Sequence, residues 1–334
     1  MVSDFSIRHI KIAPGLVLAP MSGVTCSAFR RLIREMNPGA VGLLVSEFIS
    51  VEGMTREGRK SLEMMRFAES ERPFGIQIFG YDIQRMRDAA VMVEQAGADL
   101  VDINCGCPAP KVVKRGGGCE LMRQPLHLAS ILRAVRSAVS IPLTIKMRSG
   151  WDDGSRNAPE IAAIAENEGV EAVTVHGRTR AAMYRGSADY EIVSKVVDAV
   201  RIPVCGSGDV CDAASARERL SSGVVGLYVG RAAIFNPLVF TEIVTGDSRD
   251  LRRDSPQMAR ILLRYRDLLL EGSRPPIAVV GRLKQLASQM AKGHFWSKTF
   301  CRAQSLAEQE ELLEQIIEGV LDSPIDPTDS VITE

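Results

Sequence analysis

Short aliphatic runs alternate with longer amphipathic stretches from Leu16 to about Phe235. This alternation is typical of repeated βα units around a parallel sheet. Eight of the runs are predicted to be strands, at residues 16–19, 41–45, 74–79, 100–103, 143–146, 172–175, 204–205 and 226–229. The helical pattern occupies residues 27–36, 83–95, 126–138, 158–168, 190–199 and 213–221, and it is weakest after the second strand. Eight such units predict an α/β fold with a closed (β/α)8 TIM barrel rather than an open sheet.

After Asn236 and Pro237 the pattern is helical only, with helices predicted at residues 255–270, 277–292 and 307–321. We therefore predict two domains, a catalytic barrel at residues 1–243 and a small all-helical domain at 244–334. Residues 248–306 contain twelve Lys and Arg against four Asp and Glu, whereas every charged residue from 307 to 334 is acidic. A charge run is usually a solvated helix face, but this excess favours contact with a polyanion.

Composition excludes several classes of protein. The 334 residues carry 41 basic and 41 acidic side chains, so any attraction for a polyanion is local. No apolar run is long enough to span a bilayer and the N-terminus does not have a targeting pattern, so we expect a cytoplasmic protein without membrane contact. Seven cysteines, an odd number, fit free thiols better than a disulfide scaffold. No fourth ligand is suitably spaced from Cys105, Cys107 and Cys119, so no metal site is predicted.

Polar residues follow the predicted strands at the end where barrel enzymes carry their active sites. After the fourth strand, the run from Asp102 to Pro108 places an amide, Asn104, close to a thiol, Cys107. Because Pro108 has no N–H and ends the ladder, Cys107 is expected on a loop. The candidate site residues at the ends of the other strands are Pro20, Met21, Ser22, Glu47, Gln77, Lys146, Arg148, His176, Arg178, Ser207, Gly208, Asp209, Gly230 and Arg231.

The loops after the last two strands predict a phosphate site. Their glycines, Gly208 and Gly230, let backbone N–H groups approach an anion, the following helices add their N-termini, and Arg231 adds a positive charge. Lys146, at the same end of the barrel, can balance negative charge on a reduced flavin ring. A phosphate and a polar ring together predict FMN, although many barrel enzymes bind phosphorylated substrates at this place. No G-x-G-x-x-G follows the first strand, which argues against a dinucleotide-binding Rossmann fold.

Taken together, these segments resemble the motifs of the tRNA-dihydrouridine synthases. The matching stretches are residues 19–25, 77–80, 102–108, 146–150, 175–179, 208–209 and 230–231. They lie in the family's order, and the resemblance covers nearly the whole chain. It implies an FMN-containing barrel, a helical domain that helps hold tRNA, NADPH (or NADH) as reductant, and hydride delivery to C6 of a uridine.

The resemblance also implies residue roles. Cys107 is expected to be the acid that protonates C5, and Asn104 is expected near the uracil. A thiol with an ordinary pKa of about 8.5 is protonated at neutral pH and suits that role. Independently of the resemblance, the positive charge of Arg178 after the sixth strand predicts that it binds the RNA at the barrel mouth. The expected cofactor contacts are Pro20, Met21, Ser22, Gln77, Lys146, His176, Ser207, Gly208, Asp209, Gly230 and Arg231.

Some residues depart from the family pattern or have a structural interpretation. Ser207 stands where the family more often has asparagine, and Cys105 and Cys119 are unusual neighbours for the catalytic thiol. Glu47 is expected to form a structural salt bridge. Four cysteines are expected to be packing residues: Cys26, Cys205, Cys211 and Cys301. The two tryptophans, Trp151 and Trp296, are expected to be partly buried.

Two other functions remain open. A flavin barrel acting on a free dihydropyrimidine would share the phosphate site and a cysteine loop, but a small free base needs no basic platform. A non-catalytic RNA-binding protein would keep the barrel only as a scaffold. A uridine stacked in tRNA must instead be turned outward at a cost of a few kcal/mol, which phosphate contacts can offset. We expect a monomer; the sequence does not specify which uridine is modified.

Overall fold

The computed structural model describes residues 2–247 and 251–321 of the chain. Its centre is a closed ring of eight parallel strands. An antiparallel hairpin of two short strands precedes the ring, and β5 pairs with the edge of β6. The strands are β1 (Phe5–Ile7), β2 (Ile10–Ile12), β3 (Leu16–Leu18), β4 (Leu43–Val45), β5 (Ile49–Ser50), β6 (Phe74–Phe79), β7 (Leu100–Cys105), β8 (Leu143–Arg148), β9 (Ala172–His176), β10 (Val204–Ser207) and β11 (Gly226–Val229).

The ring closes through pairing of β11 with β3 and of β4 with β6. The predicted TIM barrel is therefore confirmed. Four strands extend one or more residues beyond their predicted ends, so that Asn104, Arg148, His176 and Ser207 lie in strands. Two of these strands were predicted to end directly before a polar residue, Asn104 or His176. Polar side chains at the barrel mouth nevertheless continue the backbone ladder.

Helices surround the barrel and begin at recognisable caps. The side chains of Asp82, Asp189 and Asp212 accept hydrogen bonds from the first backbone N–H groups of their helices. After the second barrel strand the weak helical pattern forms only two short helices. The helices of this part are α1 (Ser27–Met36), α2 (Val51–Thr55), α3 (Arg59–Met64), α4 (Ile83–Gln95), α5 (Pro110–Val113), α6 (Pro125–Arg136), α7 (Ala158–Asn167), α8 (Tyr190–Ala199), α9 (Ala213–Leu220), α10 (Ala232–Phe235) and α11 (Val239–Thr245).

A helical region follows the barrel, as predicted. It contains α12 (Ser255–Glu271), α13 (Pro276–Met290), α14 (Phe295–Arg302) and α15 (Leu306–Ile317). The short helix α14 was not predicted; it buries Trp296, expected to be partly buried, whose Nε1 donates to Ser255 Oγ at 3.2 Å. The domain division at 243/244 falls within α11 and stays a prediction, and the predicted domain's residues 248–250 and 322–334 lie outside the described ranges. No helix in the described ranges is long and apolar enough to cross a bilayer.

The helical region is attached to the first βα unit of the barrel. On α12, Arg264 forms an ion pair with Glu35 of α1 at 2.7 Å, and Arg31 of α1 pairs with Glu271 at 2.6 Å. On α13, Gln285 Nε2 donates to the carbonyl of Gly23 at 2.9 Å. These contacts place the helical region beside the loop that follows β3, at the mouth of the barrel.

A buried ion pair joins α1 to the segment before β6. Arg30 and Glu71 are 2.5 Å apart and their side chains are 1% and 0% exposed. Arg30 also donates to the carbonyls of Thr25 and Arg66, and its guanidinium lies 4.4 Å from the ring centroid of Phe74. Such a pair is expensive to break, because the remaining charge is left buried without compensation.

Replacing Arg30 with methionine should therefore destabilise the protein strongly. We expect Arg30→Met to lower the free energy of unfolding by about 3–5 kcal/mol, measured by urea denaturation. Arg59→Ala is the control, because it breaks an exposed ion pair with Glu63 and should cost less than about 1 kcal/mol. Equal effects of the two substitutions would contradict this account of the buried pair.

Candidate active site

Cys107 lies on a loop directly after β7, and this loop is held by side chains. We call residues 106–109 the thiol loop. Asn104 Oδ1 accepts hydrogen bonds from the backbone N–H groups of Gly106, at 3.2 Å, and Cys107, at 2.9 Å. The carbonyl of Cys107 accepts from the backbone N–H of Cys119 at 3.1 Å. Both peptide groups of the cysteine are thus engaged, and its thiol is held at one place at the mouth.

Cys119, unexplained in the sequence, supports the thiol loop from the far side. Its Sγ donates to the carbonyl of Gly106 at 3.0 Å, and Arg148 Nε donates to the same oxygen at 3.1 Å. Gly118 precedes it with φ +61°, and a Cβ there would lie 2.5 Å from the carbonyl oxygen of Cys107. The close approach of this second segment requires glycine. Cys119 is therefore a structural donor in this arrangement.

The thiols at the mouth are neutral. Burial raises the pKa of Cys107, although a hydrogen bond from Ala109 and the charge of Arg148 act in the opposite direction. Burial also raises the pKa of Cys119 to about 12 and that of Cys105 further. A raised pKa keeps each group in its S–H form through neutral and mildly alkaline pH. This form suits a proton donor better than a nucleophilic thiolate, and the role of Cys107 as the acid stays a prediction.

A chain of buried polar side chains lies beneath Asn104. Asn104 Nδ2 donates to Gln77 Oε1 at 2.7 Å, and Gln77 Nε2 donates to Asp102 Oδ2 at 2.5 Å. The other carboxylate oxygen of Asp102 accepts from Thr144 Oγ1 at 2.7 Å. The structure thus joins the predicted residues Gln77 and Asn104 directly. It also adds Asp102 and Thr144, which the sequence did not mark as part of the site.

Lys146 and His176 lie on the next strands around the mouth. Burial and the nearby charge of Arg148 lower the pKa of Lys146 to about 8, while Asp102 opposes this shift. Burial and four neighbouring cations hold the pKa of His176 well below its usual value, so the ring is neutral. Since His176 Nδ1 accepts from the backbone N–H of Arg178 at 3.1 Å, the ring proton lies on Nε2. The imidazole therefore offers one N–H donor to a ligand.

The loops after β10 and β11 fit an anion. Gly208 has φ +109°, and a Cβ there would meet Ala188 Cβ at 2.7 Å and the ring of His176 at 3.2 Å. Within residues 2–247 and 251–321, the backbone N–H groups of Gly208 and Gly230 donate no hydrogen bond to a protein group. Arg231 has a half-exposed side chain beside them. Unused donors with an adjacent cation suit the phosphate of the predicted FMN.

Asp209 and Arg178 form an ion pair, and each side chain also bonds to the backbone of the loop after β9. Arg178 is 5% exposed; its Nη1 donates to Asp209 Oδ1 at 2.7 Å, and its Nε donates to the carbonyl of Gly186 at 3.1 Å. Asp209 Oδ2 accepts from the N–H of Ala188 at 2.7 Å. Burial opposes ionisation of Asp209, but these hydrogen bonds and the cations outweigh it and lower its pKa. The pair fixes the loop after β9, and direct contacts of either residue with ligands stay predictions.

Loop 20–25, which contains Pro20, Met21 and Ser22, is held at Gly23 from two sides. The N–H of Gly23 donates to the carboxylate of Glu47, and its carbonyl accepts from Gln285 and Arg282 of α13. The prediction of a salt bridge at Glu47 is wrong. Among the described residues, the carboxylate of Glu47 instead accepts a hydrogen bond from the backbone N–H of Gly23. No sequence pattern marked Arg282 or Gln285, because their importance depends on how α13 packs.

Trp151 lies at the mouth after β8, and two guanidinium groups contact its ring. Arg123 and Arg180 are each 4.6 Å from its ring centroid. Cation–π attraction holds the two guanidinium groups against the ring, and Arg123 also pairs with Glu120 at 3.2 Å. Within the described part of the chain, no three His, Cys, Asp or Glu side chains are grouped so as to hold a metal ion.

Comparison with known proteins gives a consistent set of matches. The model of the dihydrouridine synthase (Dus) family matches residues 17–321. The chain is 40% identical over 281 residues to a probable tRNA-dihydrouridine synthase of Rickettsia bellii (strain RML369-C), covering 81% of this chain and 85% of that protein. It is 41% identical over 269 residues to tRNA-dihydrouridine synthase B of Pseudomonas syringae pv. tomato (strain ATCC BAA-871 / DC3000), covering 79% of each.

Among solved structures, a complex of 2-naphthoyl-CoA reductase with 2-naphthoyl-CoA is similar, with a TM-score of 0.57. The two sequences are 14% identical, and the alignment covers 73% of this chain and 52% of the reductase chain. At this identity the similarity shows the barrel fold alone.

The protonation state of Cys107 can be tested by alkylation. Because the thiolate is the reactive form, the raised pKa of Cys107 predicts slow reaction with iodoacetamide at pH 8, with a rate that keeps increasing above pH 9. Cys211, expected to pack but exposed in the structure, should react faster at pH 8 because the reagent can reach it, as measured by peptide mass spectrometry. Faster labelling of Cys107 than of Cys211 would indicate an ionised thiol.

Proposed function

The chain belongs to the dihydrouridine synthase (Dus) family, and on this premise we propose that it reduces specific uridines in tRNA to 5,6-dihydrouridine, with FMN as cofactor and NADPH as reductant. Membership makes the protein an oxidoreductase and implies a flavin. The observation that carries the proposal is a neutral thiol, Cys107, held at a barrel mouth that also presents ring donors and an anion cradle.

The residues at the mouth fit FMN in two parts. The unused N–H groups of Gly208 and Gly230, with Arg231, would hold the phosphate. Lys146 and the Nε2–H of neutral His176 would meet the ring. The remaining cofactor contacts that we propose are Pro20, Met21, Ser22, Gln77, Ser207 and Asp209. When bound, FMN supplies the hydride that adds to C6 of the uracil.

Cys107 supplies the proton. Hydride addition at C6 leaves enolate-like negative charge on the uracil, and transfer of the Sγ proton to C5 removes that charge and completes the single C5–C6 bond. The positive charge of Arg148 favours the thiolate that remains, which then takes a proton from water. Asn104 acts by holding the backbone of Cys107, and we propose that it also faces the uracil.

Lys146 adds a charge that responds to the ligand. With a pKa of about 8 it is mostly protonated at neutral pH, and an anion next to it would favour the protonated form further. Negative charge that develops near the ring is therefore met by a cation inside the barrel mouth, where the low dielectric strengthens the attraction.

We propose that the helical region contributes to tRNA binding. Four exposed basic side chains there form no ion pair with another described residue: Arg260, Lys292, Lys298 and Arg302. Arg264 and Arg266 instead pair with acids and stabilise the fold, while Arg249 and the side chain of Arg252 lie outside the described part. Contacts of the exposed cations with phosphates would offset the cost of turning the uridine outward.

Reaction with tRNA distinguishes this function from action on a free pyrimidine. We expect dihydrouridine to accumulate in unmodified tRNA incubated with the FMN-loaded protein and NADPH, measured by nucleoside mass spectrometry. Parallel reactions with NADH compare the two reductants. Activity on free uracil with none on tRNA would contradict the proposal, and a protein that cannot be loaded with FMN would contradict any flavin-dependent reaction.

Removing the thiol should separate the two half-reactions. In Cys107→Ala, reduction of the flavin by NADPH should persist, whereas uridine reduction should fall by about 10²–10⁴-fold because the proton donor is absent. Rapid mixing under anaerobic conditions measures both rates. Cys301→Ala, which removes a thiol from α14, is the control and should leave both rates unchanged. Unchanged uridine reduction in Cys107→Ala would exclude Cys107 as the acid.

A further inference from the structure

Asp102 is a buried carboxylate that the proposed mechanism does not use. It lies in β7 with 1% of its surface exposed. In the barrel ladder it pairs with Gln77 of β6 on one side and with Thr144 of β8 on the other. Each neighbour donates one hydrogen bond to a different carboxylate oxygen, Gln77 Nε2 at 2.5 Å and Thr144 Oγ1 at 2.7 Å. A carboxylate at this depth is costly unless it is bonded in this way.

The hydrogen bond from Gln77 to Asp102 determines the orientation of the two amides that lead to the thiol loop. An ionised carboxylate only accepts hydrogen bonds, so the NH₂ group of Gln77 must face Asp102 and its Oε1 must face Asn104. That oxygen in turn accepts from Asn104 Nδ2, which leaves Asn104 Oδ1 directed at the backbone N–H of Cys107. Backbone N–H groups only donate, so both ends of the chain require the same orientation of the two amides.

The ionisation of Asp102 is consistent with this direction. Burial raises its pKa to about 6, while the bonds from Thr144 and Gln77 and the charge of Lys146 act to lower it. The group is therefore mainly ionised at pH 7–8 and serves as an acceptor.

We propose that Asp102 is a positioning residue for Cys107, which acts through the amides of Gln77 and Asn104 on the backbone of the thiol loop. The proposal rests on the proposed function for the identity of the acid, and on the hydrogen-bond chain for the role of Asp102. Asp102 touches neither substrate nor cofactor in this account. It determines where the thiol stands when the proton is transferred.

Amide hydrogen exchange of the FMN-loaded protein tests the positioning directly. In Asp102→Ala the amides of Gly106 and Cys107 should exchange about tenfold faster, because Asn104 is no longer held in one orientation. Asp102→Asn should keep them protected, since its carbonyl can accept from Gln77 while its NH₂ group faces Thr144. Thr144→Val, which removes only the bond to the other oxygen, is the matched control and should also keep them protected.

The half-reactions give a second readout. Flavin reduction by NADPH should be unchanged in Asp102→Ala, whereas uridine reduction in a single turnover should fall by about 100-fold, as expected for a displaced catalytic group. Asp102→Asn should restore most of the uridine step. A general loosening of the barrel would instead slow both half-reactions and would not be rescued by asparagine.

Three results would overturn the proposal: unchanged exchange at Gly106 and Cys107 in Asp102→Ala, exchange about tenfold faster than wild type in Thr144→Val, or the same loss of protection in Asp102→Asn. The last two are measured against the wild-type protein and decide the matter even if Asp102→Ala does not fold. If the wild-type protein forms no dihydrouridine, the proposed function fails, and the exchange comparison alone decides the positioning role.

Discussion

The active site depends on the hydrogen bonds that the backbone N–H groups of Gly106 and Cys107 donate to Asn104 Oδ1. A proton donor is useful only if it stands at a fixed place, because a misplacement of about 1 Å can cost about 100-fold in rate. A cysteine on a loop, directly before a proline, does not have such a fixed position by itself. The barrel supplies it, since Asn104 belongs to β7 and shares the rigidity of the parallel ladder.

The same barrel mouth keeps the thiol neutral while surrounding it with cations. Arg148 donates to the carbonyl of Gly106, and Lys146 lies on the same strand, yet burial dominates and raises the pKa of Cys107. This balance suits an acid better than a nucleophile, because the proton is present before transfer and the resulting thiolate is stabilised afterwards. The carbonyl of Gly106 takes its second bond from Cys119, so a residue that departs from the family pattern completes the loop.

The sequence was sufficient to predict the barrel, because strands buried on both faces read as short aliphatic runs and the polar residues after them share one end. It also predicted that Cys107, Asn104 and Gln77 lie at one end of the barrel, and the structure joins them by hydrogen bonds, while their roles stay predictions. It did not predict the bond of Glu47 to Gly23 or the contact of Gln285 with the same peptide, because both depend on packing between segments distant in sequence. Trp296 was misjudged for a related reason, since its burial follows from a helix, α14, too short to give a clear periodic pattern.

The most direct test of the account is a crystal structure of the FMN-loaded protein bound to an unmodified tRNA. The account predicts a uracil turned out of the RNA into the barrel mouth, with Sγ of Cys107 in contact with C5 and Asn104 still bonded to the backbone N–H of Cys107. A uracil bound beyond the reach of Cys107, or another side chain at C5, would contradict the assignment of the thiol as the proton donor.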